Sequence, residues 1–414
     1  MSLWAHELRL FLRQSRALGL LLLIFALSAA SVWGGVAEIA HQRNVITRIM
    51  PQQAADEAAV AARVSKDSDP GNAAYYTLYA TWDAPSPLAF AALGQRDIAP
   101  YVLRVRALAL EGQIYESENY NAQMALPGRF DWAFVLTYLA PLFLIALLHD
   151  LSSSEAEAGR HTLLGVMARS RNALWVRRII IRAGLLFTAL VAPFAVGGLV
   201  SGSGAAGLAV IALAGAYLLF WTLACLVVSR LQLSSLANAA SLAAVWLLVT
   251  LVLPGLALLT INSAIPVRQG VELTLAQREA VHAAWDKPKD ATMRAFFRHY
   301  PEWRETAPVE GGFHWKWYYA FQHLGDLSVA EQVRAYRAGL MARDTWTRRI
   351  GYVLPSVGVQ VAVHRLARTD LEAQLSYQDR IRKYHERLRR FYYPYVFDDR
   401  VFSAEDFAKA PRWK

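Results

Sequence analysis

The sequence predicts a mainly α-helical polytopic membrane protein with about five transmembrane helices, a sixth as an alternative, and two helical extracytoplasmic regions. Three observations predict it. Of its 414 residues, 55% are hydrophobic, above the roughly 45–50% of soluble domains, and the mean hydropathy is +0.23. The apolar residues cluster in runs long enough to cross a bilayer core of about 30 Å as helix. Between the runs the basic residues are distributed unevenly, which orients the chain.

The elements follow in order. Residues 1–16 read as an amphipathic helix: Trp4, Leu8, Phe11 and Leu12 share one face, opposite Glu7, Arg9 and Arg13. Such a helix lies in the headgroup plane. Arg9, Arg13 and Arg16 precede an apolar stretch that is too long for a signal-peptide core and lacks a clean cleavage site, so it reads as a retained first span over 17–38. The polar region 39–130 reads as an Ala-rich helix near 52–65, followed by turns at Asp69-Pro70-Gly71 and Asp83-Ala84-Pro85. A second span covers 131–150. A cytosolic segment at 151–178 leads into three spans near 179–200, 207–228 and 236–261. Pro141, Pro193 and Pro254 fall inside spans, where proline kinks rather than stops a helix.

Residues 262–414 read as helical. Thr274…Gln277, Ser328…Glu331 and Thr369…Glu372 have capping-box spacing. In the last helix Tyr377, Ile381, Tyr384, Leu388 and Phe391 form one face, against Arg380, Arg382, Lys383, Arg387 and Arg390. The apolar stretch around 350–366 contains Pro355 and Gly358 and is short for a span, which suits an interfacial or re-entrant element.

Orientation comes from the short loops. The 151–182 loop carries Arg160, Arg169, Arg171, Arg177, Arg178 and Arg182; the turn at Arg230 and the N-terminus are also basic. The turn Ser201-Gly202-Ser203-Gly204 is uncharged. The positive-inside rule then places the N-terminus in the cytosol, and 39–130 and 262–414 outside. The net charge of +10 reads as membrane-side arginine and a basic last helix that face membrane lipids. No basic stripe belongs to a recognisable nucleic-acid motif.

Several chemistries are excluded or weak. One cysteine, Cys225, allows neither an internal disulfide nor a cysteine-based zinc site. The match to G-x-G-x-x-G at 202–207 follows no strand and joins two spans, so it reads as a hairpin turn. There is no phosphate-cradling G-x-x-x-x-G-K-[ST], and neither H-E-x-x-H nor G-x-S-x-G. His299, His314 and His323 lie among Trp303, Trp315, Trp317, Tyr318 and Tyr319 without a metal-ligand spacing, and the expectation is aromatic packing at the membrane interface. Glu155 and Glu157 resemble a paired acid/base site, but Ser154…Glu157 also reads as the cap of a cytosolic helix.

The run YLAPLFLIALLHDLSSSEAEAGRHTLL at 138–164 resembles the core signature of ABC-2 type export permeases. In that family a span ends in E-x-E-x-G-x-x-x-L-L and a basic segment enters the next span. The match falls on Glu155, Glu157, Gly159, Leu163 and Leu164, then Arg169 to Arg182; Arg160 replaces the usual threonine. GQRDIAPY at 94–101, with Leu354-Pro355-Ser356, Val359-Gln360 and Arg368-Thr369-Asp370, resembles the DUF3526 branch, which carries two extracytoplasmic insertions. The resemblance implies a non-catalytic inner-membrane subunit that binds no cofactor itself. ATP and Mg would sit on a separate ABC ATPase subunit, docked against Glu155, Glu157, Gly159, Arg160, Leu163, Leu164 and Arg169. It also implies an elbow helix carrying Trp4, Leu8 and Phe11, a second permease chain, and a periplasmic partner. Such permeases typically end in a sixth span. Here residue 414 falls about where that span would begin, so it is missing or replaced by 350–363. The alternative function is a membrane-anchored scaffold or receptor that binds a partner without transport.

Overall fold

The computed structural model describes residues 3–67, 69–115, 130–160, 171–268 and 270–414. It is 77% helical, and five helices are long and apolar enough to cross a membrane. Helix α1 (Leu3–Leu12) turns at Gln14, whose N–H reaches the Phe11 carbonyl, into α2 (Ser15–Asp67). At 1.5 Å per residue, α2 is roughly 80 Å long. Its first half is the apolar stretch long enough to cross a membrane, and the rest continues unbroken through Pro51. The separate helix expected at 52–65 is therefore an extension of that stretch.

Region 39–130 is not wholly helical. After α3 (Pro70–Tyr76), strands β1 (Tyr79–Trp82) and β2 (Val102–Val105) pair antiparallel, with Tyr79 opposite Val105. The connection between them turns back onto the bundle. Ala89, Phe90, Ala91 and Ala92 are fully buried in the apolar cluster of the span helices. The opening they enter is made by small residues: a Cβ on Gly35 would lie 2.0 Å from the Phe90 carbonyl oxygen, and one on Gly197 would meet Val32 and the Phe90 ring. Short α4 (Glu111–Tyr115) completes the region.

The other apolar helices are α5 (Trp132–Glu157), α6 (Arg171–Ser201), α7 (Gly204–Ser229) and α8 (Ser235–Ala264). Two of them contain a widened, π-helical turn, Val135–Leu139 in α5 and Leu248–Val252 in α8. Each immediately precedes a proline-bearing turn, at Pro141 and Pro254. Proline offers no N–H and crowds the carbonyl one turn back, so nearby carbonyls need other donors in an apolar setting. The Tyr217 hydroxyl donates to the Thr137 carbonyl (2.8 Å), and Ser356 donates to that of Val249 (3.2 Å). The uncharged turn between α6 and α7 uses Gly202 and Gly204 at positive φ, in agreement with the hairpin-turn reading.

The polar helices are α9 (Gly270–Ala283), α10 (Lys289–Phe297), α11 (Trp315–Gly351), α12 (Pro355–Ala367) and α13 (Leu371–Phe397). Two expected helix starts are corrected. Thr274 is buried within α9, and Ser328 lies inside α11, where its hydroxyl bonds the Gly325 carbonyl. In both places packing on neighbouring helices outweighs a local cap. The third start moves by one residue: Asp370, not Thr369, accepts the Ala373 N–H and caps α13.

The apolar stretch at 350–363 forms the bend of a helical hairpin. α11 runs in, and α12 returns among the span helices, with Val359, Val363 and Ala367 buried there. A Cβ on Gly358 would lie 2.3 Å from the Gly351 oxygen, so glycine lets the arms touch. α12, roughly 20 Å long, is shorter than the hydrocarbon core. The segment where a sixth span would begin packs elsewhere: Trp413 donates to the Trp82 carbonyl (2.8 Å), and Tyr384 to that of Pro411 (3.0 Å).

The two polar regions share one apolar core, which takes residues from 64–115 and from 273–413. Trp303, Trp317 and Tyr319 belong to it, which corrects their expected place at a membrane interface. At its centre Arg389 donates to Asp326 (2.6 Å) and the Leu108 carbonyl (2.8 Å) and faces His323 Nδ1 at 3.0 Å. Burial, reinforced by Arg389 and His299, pushes the His323 imidazole down to about 3. Burial also holds His385 well below its ordinary value, and raises Asp326 against the pull of Arg389. His314 caps α11 through its side chain.

Candidate functional site

The bundle has two ends. The polar domain covers one; the other carries α1, the terminus of α5, and the starts of α6 and α8. In α1, Phe11 is buried beside Arg182, while Trp4 and Leu8 are exposed. Of the three elbow residues, then, Phe11 anchors the helix and the other two face outward, as a helix lying on an apolar surface requires.

The terminus of α5 is built from its backbone. The helix loosens at His149, then makes one last turn, Ser153–Glu157. Ser154 lies within that turn and bonds the Asp150 carbonyl (2.6 Å), so it is not the expected cap. Gly159 then takes φ +69°. The Arg160 N–H reaches the Glu155 carbonyl (2.9 Å) and the Gly159 N–H that of Ala156 (3.0 Å), which together make a Schellman closure. Among the described residues nothing lies within contact of a Cβ at Gly159; its backbone angle asks for glycine there.

Side chains then link this turn to three other helices. Glu155 accepts from Arg160 (2.8 Å) and from Arg178 of α6 (3.1 Å), and Arg178 also donates to Glu7 of α1 (3.1 Å). The Glu155, Arg178 and Glu7 side chains are 15%, 17% and 12% exposed, whereas Arg160 is 61% exposed. Glu157 points elsewhere: it accepts from the Ser235 N–H (2.7 Å) and hydroxyl (3.1 Å), and so caps α8. Ser153 meets the same hydroxyl at 2.9 Å, and buried Asn238 donates to the His149 carbonyl (3.2 Å). Arg182 donates to the Leu147 carbonyl (2.5 Å) and to Asp150 (3.4 Å).

The two carboxylates suggested by the sequence therefore do not form an acid/base pair. One joins α5 to α6 and α1; the other joins α5 to α8. The arrangement is a polar collar that ties four helices to one another, with Arg160 exposed at its edge among the described residues. Leu163, Leu164 and Arg169 lie outside the described residues. Sequence reasoning named Glu7 only as part of the polar face of α1 and did not single out Asp150, Ser235 or Asn238. Asn238, a polar residue inside an apolar run, carried the usable signal. Among the described residues no group of His, Cys, Asp and Glu is placed to hold a metal ion.

Residues 271–414 match the family model described as a domain of unknown function, DUF3526. That span takes in α10 to α13 and most of α9, including the α11–α12 hairpin. No curated protein and no solved structure matches the chain.

Proposed function

We propose that this chain is the transmembrane permease subunit of an ABC-2 type transporter in a bacterial inner membrane, with its N-terminus and polar collar in the cytosol. On this reading a separate ATPase subunit binds ATP and Mg, a second permease chain completes the pore or the force-bearing unit, and no residue of this chain performs bond chemistry. The work is rigid-body movement of helices. The domain at the other end faces the periplasm, where it is available to a partner.

The observation that carries the reading is the way the Gly159 turn is fixed. A push on an exposed turn is useful only if it reaches the bilayer without being absorbed. Here Glu155 passes it to α6 and α1, and Glu157 passes it to α8. The Ser153–Gly159 turn leaves Arg160 exposed to meet a docking groove. The resemblance of 138–164 to the permease signature and the DUF3526 match at 271–414 support the same assignment.

The test is isolation of the tagged full chain from native membranes, followed by ATPase assay of what accompanies it. An ABC ATPase subunit should co-purify. Arg160→Glu and Leu163→Arg should remove the permease's effect on its turnover while the chain remains folded. A scaffold without transport would bring down no ATPase, and those substitutions would leave its function intact.

A further inference from the structure

Two clefts meet at the C-terminal end of α12. The first is a polar chamber of about 850 Å³, walled by residues 83–88, the α6–α7 turn at Ser203, the end of α12 and the first turn of α13. The second is a groove of about 480 Å³ between α7 and α12, lined by Leu213, Ala216, Phe220, Val359 and Ala362. Arg365 lines both. Leu213 and Phe220 lie roughly 14 and 24 Å along α7 from its start at the turn, which is acyl-chain depth for a helix that crosses a bilayer.

The charges of the chamber are unequally engaged. Asp83 holds Arg96 (2.5 Å) and Arg380. Asp370 caps α13. Glu372 meets Arg348 at 3.7 Å and Arg365 only at 3.9 Å. Arg368 has no side-chain partner among the described residues, and it occupies a left-handed conformation (φ 53°, ψ 45°) that favours glycine. Arg365, Arg368 and Arg380 are matched in number by Asp83, Asp370 and Glu372, but an exposed arginine without a side-chain partner next to a loosely held one leaves guanidinium donors free where the chamber meets the apolar groove.

We propose that a membrane phospholipid binds here, its phosphate between Arg365 and Arg368 and one acyl chain in the groove between α7 and α12. Arginine suits phosphate because its fork donates two hydrogen bonds to one anion. The volumes are of ligand size. Free phosphate would use the chamber and leave the groove empty. The inference rests on the five apolar helices lying in a bilayer, and not on coupling to an ATPase, so either can fail alone.

The experiment is native mass spectrometry of the purified, delipidated full chain titrated with dioleoyl phosphatidylglycerol, with inorganic phosphate as competitor. The wild-type chain should bind lipid saturably at one site, and millimolar phosphate should not displace it. Arg368→Gly removes the charge and suits the left-handed backbone, so it should fold at least as well and bind about tenfold more weakly, the loss expected for a charged hydrogen bond. Ala216→Trp fills the groove and should abolish the saturable site. Lipid retention unchanged in both variants would mean annular lipid only and would overturn the proposal. So would equal competition by inorganic phosphate, or loss of a dimer on Ala216→Trp with lipid binding intact, which would make a second copy the occupant of the groove.

Discussion

The chain builds two charged networks, one at each end, and they differ in what surrounds them. In the domain, Arg389 and Asp326 are walled in by aromatic rings; Phe296 stacks on Phe397 at 4.8 Å and 9°. The two terminal nitrogens of Arg389 meet His323, Asp326 and the Leu108 carbonyl, while its Nε has no partner among the described residues. At the collar, Glu155, Arg178 and Glu7 are partly open to solvent, and their pairs end in exposed Arg160. A buried network has one arrangement, because any other leaves a charge unpaired in a low dielectric. A network that ends in an exposed charge, as the collar does at Arg160, can exchange that outer partner at small cost. On the proposed function, the collar is therefore the place where a partner would act.

That comparison can be broken in several places. Arg389→Met strands Asp326 in the core and should cost about 3–5 kcal/mol, read as a large drop in thermal midpoint or loss of folded protein. If the loss were no greater than at the collar, the contrast would fail. Acidification should separate the two ends next. His323 and His385 have depressed values in the folded state, so the unfolded chain binds more protons below about pH 6.5 and the domain loses stability as pH falls from there toward 3. Asp326, with its raised value, acts with the opposite sign in a lower window beginning at ordinary carboxylate pH. Unfolding followed against pH should show a shallower slope in His323→Gln.

Smaller effects sharpen the picture. Gly358→Val forces the hairpin arms apart and should cost about 1–3 kcal/mol, the range for overpacking; an unchanged melting curve would show that the arms are not in contact. Breaking the collar with Glu155→Gln or Arg178→Ala should cost about 1.5–3 kcal/mol, the range for hydrogen bonds to charged groups, and remove stimulation of a bound ATPase. Arg160→Ala should be near neutral for stability, within about 0.5 kcal/mol, with its effect confined to coupling.

Much of the bundle could be read from the sequence because a bilayer imposes a length: a run of about 20 apolar residues has few other uses. The boundaries blurred where packing overrides local preference. Pro51 did not end α2, and the spacing at Thr274 and Ser328 mimicked caps inside continuous helices. The four-residue strands YATW and VLRV were too short to show a period of two. Aromatic residues mark membrane interfaces and domain cores alike, so Trp303 and Trp317 were misplaced. At the collar, Gly159 was legible because a left-handed residue closes a helix and glycine takes that angle without strain; Glu155, an acid in a last turn that the helix dipole disfavours, was legible only through the resemblance at 138–164. The pairing was not: Arg178 is 23 positions from Glu155 and 171 from Glu7, and only the folded bundle brings the three together.

The central claim is that the collar, and not the domain, faces the cytosol. Replacing Cys225 by Ala and Arg160 by Cys leaves one thiol on the exposed turn. A membrane-impermeant maleimide should label it in inverted inner-membrane vesicles and leave it untouched in intact spheroplasts. Labelling in intact spheroplasts with protection in inverted vesicles would contradict the account.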